Sequence, residues 1–359
     1  MLANRHSHVL QVNSRLVTEL TENELSTVAA RAGVERSVAA DVLAGRGRYS
    51  AHEAALVRRA LATIAYRPAI ASRFARRSRT GLIALAVPDL GEPYFAELVS
   101  LTVRLAGQRG LSVSVHQTDS EWSNEVAVIS GVVLPPVDGL IHVQRSLTLH
   151  DLTRRVDASP LVIIGPQEPN NPFNSVTFDN QAMAHDAVAH LIACGYRSIA
   201  HLGPRPSVSS EASQQRHDGY VDALQEAGRP VTNDLVLHVP AYIEEAGQST
   251  VSRLLQGELF CDAVFCSNDA LAVGALLAAH EAGVRVPDDF GIVGINDIPA
   301  AAFTWPTLTT IAPDKQALIS TALDLLQAQI DAPPTADPPV KHVVVPHRLI
   351  VRGTTRLHN

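Results

Sequence analysis

The sequence predicts a small all-α head with a helix-turn-helix, joined to an α/β core of two Rossmann-like, parallel-sheet subdomains. This prediction rests on three observations. Residues 23–66 hold three short apolar stripes at helical spacing, separated by glycines. From Gly81 onward, short apolar runs alternate with amphipathic stretches, the pattern of parallel sheets covered on both faces. The charge divides at the same place: residues 1–80 carry 13 arginines, no lysine and 6 acidic residues (+7), and residues 81–359 carry 16 basic and 30 acidic residues (−14). A basic head on an acidic body points to a polyanion-binding module attached to a second unit.

In the head, Leu25, Val28, Ala29 and Ala32 share one helical face. Gly33 follows, and glycine tolerates the left-handed backbone that a sharp helix exit needs. Val34, Val38, Val42 and Leu43 give the second helix its stripe, and Gly45 and Gly47 break the chain after it. Ser50 is a favourable N-cap for the third helix, with Glu53 three residues on to complete a capping box. Leu56, Val57, Ala60, Leu61 and Ile64 form the third stripe, which Pro68 ends. Residues 69–80 hold four arginines and read as a linker that becomes helical once its charge is neutralised. Residues 1–22 read as a flexible extension.

The core's strand candidates are 82–87, 111–116, 139–143, 161–165, 176–178, 199–203, 235–239, 263–266, 292–295 and 343–345. Helical stretches lie between most of them, including 94–109, 181–194, 216–227, 244–256, 270–282 and 314–330. This is too much chain for one doubly wound sheet, so two similar halves are expected, near 81–178 and 179–312. Residues 332–339, with four prolines, read as a loop.

Composition narrows the function. The 359 residues leave room for two or three domains. Mean hydropathy is +0.08, and no apolar run approaches the ~18 residues of a membrane span. The first residues show no apolar block of a secretory signal. Three cysteines, Cys194, Cys261 and Cys266, are too few for a disulfide scaffold. A soluble, cytoplasmic chain without membrane partners is expected. The phosphate-loop, nucleophile-elbow and His-Glu-x-x-His patterns are missing from the sequence. The 15 histidines are scattered, and Cys261 and Cys266 read as small buried hydrophobes. No metal site, no cofactor and no enzyme activity are expected, since no nucleophile–base pair stands out.

A helix, a tight turn and a second helix within about 20 residues is the geometry of a helix-turn-helix, whose second helix presents its N-terminal side chains to base edges in the major groove. Those side chains are Arg36 and Ser37, after Glu35, with Asp41 further along. An ordinary helical hairpin has the same outline.

The surrounding residues separate the two. Val28-Ala-Ala-Arg-Ala-Gly-Val34, Val42-Leu-Ala-Gly45, Ser50 and Tyr66-Arg-Pro68 resemble, in unbroken register, the head of the lactose/galactose repressor (LacI/GalR) family. The resemblance continues through Val87-Pro-Asp-Leu-Gly-Glu-Pro-Tyr-Phe95, Val137-Asp-Gly-Leu-Ile141, Phe178-Asp-Asn180 and Arg216-His-Asp-Gly-Tyr-Val-Asp-Ala-Leu224. Ser267-Asn-Asp-Ala-Leu-Ala-Val-Gly274, Val286-Pro-Asp-Asp289, Val293-Gly-Ile-Asn-Asp297, Pro306-Thr-Leu-Thr-Thr310 and Leu349-Ile-Val-Arg352 follow in order. One such motif is weak; the ordered series, over about residues 24–356, is specific.

The resemblance implies a transcriptional regulator, in most members a repressor, that binds a pseudo-palindromic double-stranded operator as a homodimer. It implies a periplasmic-binding-protein-like core whose cleft holds a small effector of the sugar or nucleoside class. A hinge helix after the head would pack into the minor groove and kink the DNA, and effector binding would control whether it forms, a coupling free energy between two sites. The implied division is an extension 1–22, a DNA-binding domain 23–66, a hinge 67–80 and a core 81–359. Within the core, the N-subdomain spans about 81–177 and 312–341, and the C-subdomain about 178–311 and 342–359.

On the DNA side the matching positions are Arg36, Ser37, Asp41, Arg46 and Ser50 in the head and Arg73, Phe74 and Arg76 in the hinge. Arg36 is the candidate for bidentate reading of guanine. The family pattern Ser-x-x-Thr-Val-Ser-Arg appears here as Glu35-Arg-Ser-Val-Ala-Ala-Asp41. Hydroxyls that would bond phosphates become Glu35, Val38 and Ala40, and a cation becomes Asp41, which weakens non-specific affinity but can accept from cytosine N4. In the hinge, Ala-Arg-x-Leu appears as Ser72-Arg-Phe-Ala75, so the wedging leucine is replaced by a side chain too small to hold a base step open. Retained DNA binding with altered geometry and a sugar-binding protein with a degenerate head both stay open.

On the effector side the matching residues are Tyr94, Phe95, Arg216, Tyr242, Asn268, Asp269 and Asn296. Arg216 would project from a helix start and grip hydroxyls or a carboxylate. Asn268 and Asp269 fall at a strand's carboxyl end, where open α/β sheets bind ligands. Tyr242 would stack on a ring, with Tyr94 and Phe95 opposite. Asn296 stands where the family has an aspartate. The competing readings are helix capping for Asn268 or Asp269, and plain packing for Tyr94, Phe95 and Trp305.

Overall fold

The computed structural model describes residues 22–44, 46–47, 49–64, 79–165, 171–203, 211–257, 259–332 and 339–356. The extension at 1–21 and the hinge residues Arg73, Phe74, Ala75 and Arg76 lie outside the described residues, as do the side chains of Leu61 and Ile64.

The head consists of α1 (Glu22–Ala32), α2 (Arg36–Ala44) and α3 (Ala51–Ile64). Gly33 ends α1 with φ +66°, and the Val34 and Gly33 amides donate to the carbonyls of Ala29 and Ala30 at 3.1 and 3.3 Å. That pairing satisfies carbonyls a helix end leaves without partners, and it needs the left-handed glycine. The three stripes meet in one small core of Val28, Ala29, Ala32, Ala39, Val42, Leu43, Ala54, Val57 and Ala60. The capping box at α3 is complete: the Ser50 amide donates to Glu53 Oε2 at 2.7 Å and the Glu53 amide to Ser50 Oγ at 3.1 Å.

The core follows as β1 (Leu82–Val87), α4 (Pro93–Gln108), β2 (Ser112–Gln117), α5 (Trp122–Ile129), β3 (Gly139–Val143), α6 (Leu149–Thr153), β4 (Leu161–Ile164) and β5 (Asn174–Phe178). Then come α7 (Asn180–Ala193), β6 (Ile199–Leu202), α8 (Glu211–Glu226), β7 (Val236–Leu237), α9 (Glu244–Gln256), β8 (Ala263–Cys266), α10 (Asp269–Glu281) and β9 (Gly291–Ile295). The chain closes with β10 (Thr309–Pro313), α11 (Lys315–Asp331), β11 (His342–Val345) and β12 (His347–Ile350). The strands form two six-stranded sheets, ordered β11-β5-β4-β3-β1-β2 and β12-β10-β9-β8-β6-β7. The two orders correspond strand for strand. Every described pairing is parallel except β10 with β12. The last change of sheet falls at Pro346, between β11 and β12. Strands β3, β4, β8 and β9 are buried throughout, as sheets covered on both faces require.

Three strand expectations are corrected. The run expected at 235–239 is a strand only at Val236–Leu237, after a short 3-10 turn at Asn233–Leu235. β10 and β12 were not expected as strands. β10 reads Thr-Thr-Ile-Ala-Pro, and its buried hydroxyls are paired rather than replaced by alkyl groups: Thr309 Oγ1 lies 3.0 Å from Thr355 Oγ1, and Thr310 Oγ1 donates to Asp269 Oδ1 at 2.6 Å. β12 is a half-exposed antiparallel edge, where apolar content is not required.

Asp269 opens α10 at the carboxyl end of β8 and is fully buried. Its other oxygen accepts from the Ile298 amide at 2.9 Å. Burial pushes its pKa up to about 6, above the ordinary 3.8, against the opposing pull of the bonds from Thr310 and Ile298. A carboxyl whose pKa is raised on folding binds more protons in the native state between those values, so stability falls as pH rises from about 4 to about 6. With Asp269→Asn, wild-type stability relative to the variant should fall by about 2 kcal/mol across that interval. Urea unfolding of both proteins at pH 4, 5, 6 and 7 measures the difference; a constant difference would show that Asp269 does not titrate there.

Candidate DNA-binding head and effector site

Arg36 and Ser37 are exposed at the N-terminus of α2, directly after the turn at Gly33. The Ser37 hydroxyl donates to Glu35 Oε2 at 3.4 Å. Arg46 is exposed beyond α2, and its amide donates to the Asp41 carbonyl at 2.9 Å. The half-buried Asp41 folds against the turn that follows α2: Gly47 has φ +92°, and a Cβ there would lie 2.2 Å from Asp41 Oδ2. The Ser50 hydroxyl is engaged with Glu53 Oε2 at 2.7 Å. The helix N-terminus therefore presents Arg36 and Ser37 outward, whereas Asp41 and Ser50 also serve the turn and the cap.

The seven effector candidates fall into three groups. Arg216 lies in the second turn of α8 rather than at its start; its Nε donates to Asn180 Oδ1 at 2.9 Å and its Nη1 to the Ser267 carbonyl. Asn268 is the N-cap of α10, accepting from the Leu271 amide at 2.9 Å, and its Nδ2 donates to the Tyr242 carbonyl at 3.1 Å. The Tyr242 hydroxyl donates to Ser213 Oγ at 3.1 Å. Arg216, Tyr242 and Asn268 are thus joined through Ser213, one turn before Arg216, and Ser267 at the end of β8.

Asp269 and Asn296 form the second group, at the ends of β8 and β9. Asn296 is buried with φ +116°, and its amide donates to the Ile311 carbonyl at 2.9 Å. Both oxygens of Asp269 are taken by Thr310 and Ile298. Tyr94 and Phe95 form the third, an edge-to-face pair at 5.1 Å. Phe95 is buried, and Tyr94 is half-buried against the apolar core of the second sheet.

The structure adds residues the sequence did not single out. Lys315, 8% exposed, donates to Glu97 Oε2 and to the carbonyls of Asn296 and Asp297, the latter two at 2.8 and 3.1 Å. Asp297 Oδ1 accepts from Arg352 at 2.7 Å. A pocket of about 420 Å³ opens here, lined by Glu97, Asp297, Lys315 and Arg348 among others, and by none of the seven candidates. His217, beside Arg216, stacks on His201 of β6. The available signal was a histidine inside the apolar run Ile-Ala-His-Leu of β6.

Residues 188–355 match the family of periplasmic binding protein-like domains. The chain is 30% identical, over 92% of its length and 96% of that relative's, to a ribose operon repressor of Halalkalibacterium halodurans. It resembles a solved putative transcriptional regulator of the LacI family from Sanguibacter keddieii, with 33% identity and a TM-score of 0.71 over 77% of this chain and 99% of that one. It also resembles the transcriptional regulator CelR solved in complex with cellobiose, with 26% identity and a TM-score of 0.68 over 92% of this chain and 99% of that one. No helix among the described residues is long and apolar enough to cross a membrane. With a trihelical head, two six-stranded sheets of matching order and a 30% identical relative aligned over nearly its whole length, the chain belongs to the LacI family of transcriptional regulators.

Proposed function

We propose that this chain is an effector-responsive transcriptional repressor that binds a pseudo-palindromic operator as a dimer and senses a sugar- or nucleoside-like molecule at the carboxyl end of its second sheet. The observation that carries the reading is the exposed N-terminus of α2, which holds out Arg36 and Ser37 as a groove-entering helix must. The intact apolar core of the head supports retained DNA binding over degeneracy. Arg216, Tyr242 and Asn268, gathered at strand ends, support the ligand site. The ribose operon repressor and the CelR–cellobiose complex support the sugar class. Dimer formation is supported by Phe303 and Trp305, 87% and 94% exposed between β9 and β10, since aromatic side chains so open to water on a soluble chain mark a contact surface.

Fluorescence anisotropy with promoter fragments flanking the gene, across a salt series, tests the whole reading. Binding should weaken steeply with salt and prefer one fragment; equal affinity for all fragments would overturn it. Arg36→Ala should cost about 1–3 kcal/mol on the operator and relax preference at one base position, as binding to a set of single-base operator variants would show. Arg216→Ala should keep DNA affinity while the effector that shifts wild-type binding loses its effect, measured in the same assay. Trp305→Glu should shift the protein toward monomer in analytical ultracentrifugation, with far-UV circular dichroism unchanged.

A further inference from the structure

Lys315 opens α11 with its side chain almost wholly buried, and its ammonium has three protein partners. They are Glu97 Oε2 on α4 and the carbonyls of Asn296 and Asp297, the last two at 2.8 and 3.1 Å. An ammonium has three hydrogens to donate and accepts none, so this one is saturated. Taking such a charge out of water costs free energy that is offset only while its partners stay in place. Losing one partner therefore weakens the hold on the other two.

One end of this bridge is the turn after β9. Asn296 and Asp297 have φ +116° and +47°, a conformation that non-glycine residues disfavour. The turn is pinned to the second sheet by the Asn296 amide on the Ile311 carbonyl, the Ile298 amide on Asp269 and Arg352 on Asp297 Oδ1. The other end is α4. Glu97 lies one turn beyond Tyr94, which packs against the apolar core of the second sheet, so α4 is held to that sheet at two points. The strand before it, β1, belongs to the first sheet. Residues 88–92 alone separate β1 from α4, and β1 begins at Leu82, two residues past the segment 67–80 expected as the hinge. Helix and strand are stiff, so a shift of α4 passes along this stretch of chain. The Glu97 side chain is 31% exposed, and the 420 Å³ pocket beside the pair gives it room to leave Lys315 for water.

We propose that Lys315 is a positioning residue for regulation: its ammonium bridges the Asn296–Asp297 turn to α4. A molecule seated against that turn changes the hold on α4 and, through β1, the grip of the head on DNA, a coupling free energy carried by one side chain. The inference rests on the reading that the effector binds at this end of the second sheet and that the head binds an operator.

The test uses the full-length protein and three variants: Lys315→Met, Glu97→Ala, which leaves both carbonyl bonds of Lys315 in place, and the two combined. Amide hydrogen exchange read by mass spectrometry reports the bridge itself. Glu97→Ala should speed exchange about tenfold in α4 and also at residues 296–298, which Glu97 does not bond, while residues 244–256 of α9 keep the wild-type rate. Faster exchange in α4 alone, or throughout the chain alike, overturns the bridge. The second arm is fluorescence anisotropy with the promoter fragment that the wild type prefers. Each single variant should shift operator affinity about tenfold in the same direction, and the double variant no further than either. Wild-type affinity in both single variants, or effects that add in the double, overturns the regulatory role. Should the wild type prefer no fragment, the regulator reading fails and the regulatory role falls with it, whereas the exchange result still decides the bridge.

Discussion

The buried carboxylate of Asp269 is the tie on which the carboxyl end of the second sheet depends. One side chain at the start of α10 holds Thr310 on β10 and the Ile298 amide beyond β9, and the neighbouring Asn268 reaches the Tyr242 carbonyl. Desolvating a carboxylate costs stability unless its oxygens are satisfied, and here each oxygen accepts a bond from the segment it fixes. Lys315 does the same with the opposite charge. Its ammonium bonds the carbonyls of Asn296 and Asp297, two non-glycine residues with positive φ, and so stabilises a backbone conformation that those side chains alone disfavour. Much of the charge at these strand ends is thus committed to the protein's own backbone, and Arg216 likewise donates to the Ser267 carbonyl after β8.

Close backbone approach supports this end of the molecule. In α8 a Cβ at Gly219 would sit 2.1 Å from the Gln181 carbonyl of α7, and in α10 a Cβ at Gly274 would sit 1.9 Å from the Glu244 carbonyl of α9. Each helix pair therefore packs backbone against backbone. Arg216 stands three residues before Gly219 on α8, so its position is set by a contact that tolerates no added atom.

Much of the fold was legible because its signals are local. The glycine after α1, the Ser50–Glu53 box and the apolar runs of β1, β3 and β8 each state their structure within a few residues. β10 was not legible, since its threonines are buried by partners more than 40 residues away. For the candidate site the sequence offered a roster and no geometry. Arg216 and Asn268 follow from their motifs, but the Lys315–Glu97 pair spans 218 residues and the His201–Ser267 bond 66, and no pattern of spacing announces either. Asp41 shows a third kind of limit: its place in the second helix suggested base reading, and no spacing announced that its side chain lies against Gly47.

The make-up of the head's interior has a thermodynamic consequence. Among the described residues, Ala29, Ala32, Ala39, Ala54 and Ala60 contribute a methyl each, and Leu43 is the largest buried side chain of the head. A unit of only about 40 residues buries a small share of its surface and has a small folding free energy of its own. Whatever engages the folded form draws the equilibrium toward it by mass action, so the order of this segment in a cell is set as much by occupancy as by sequence.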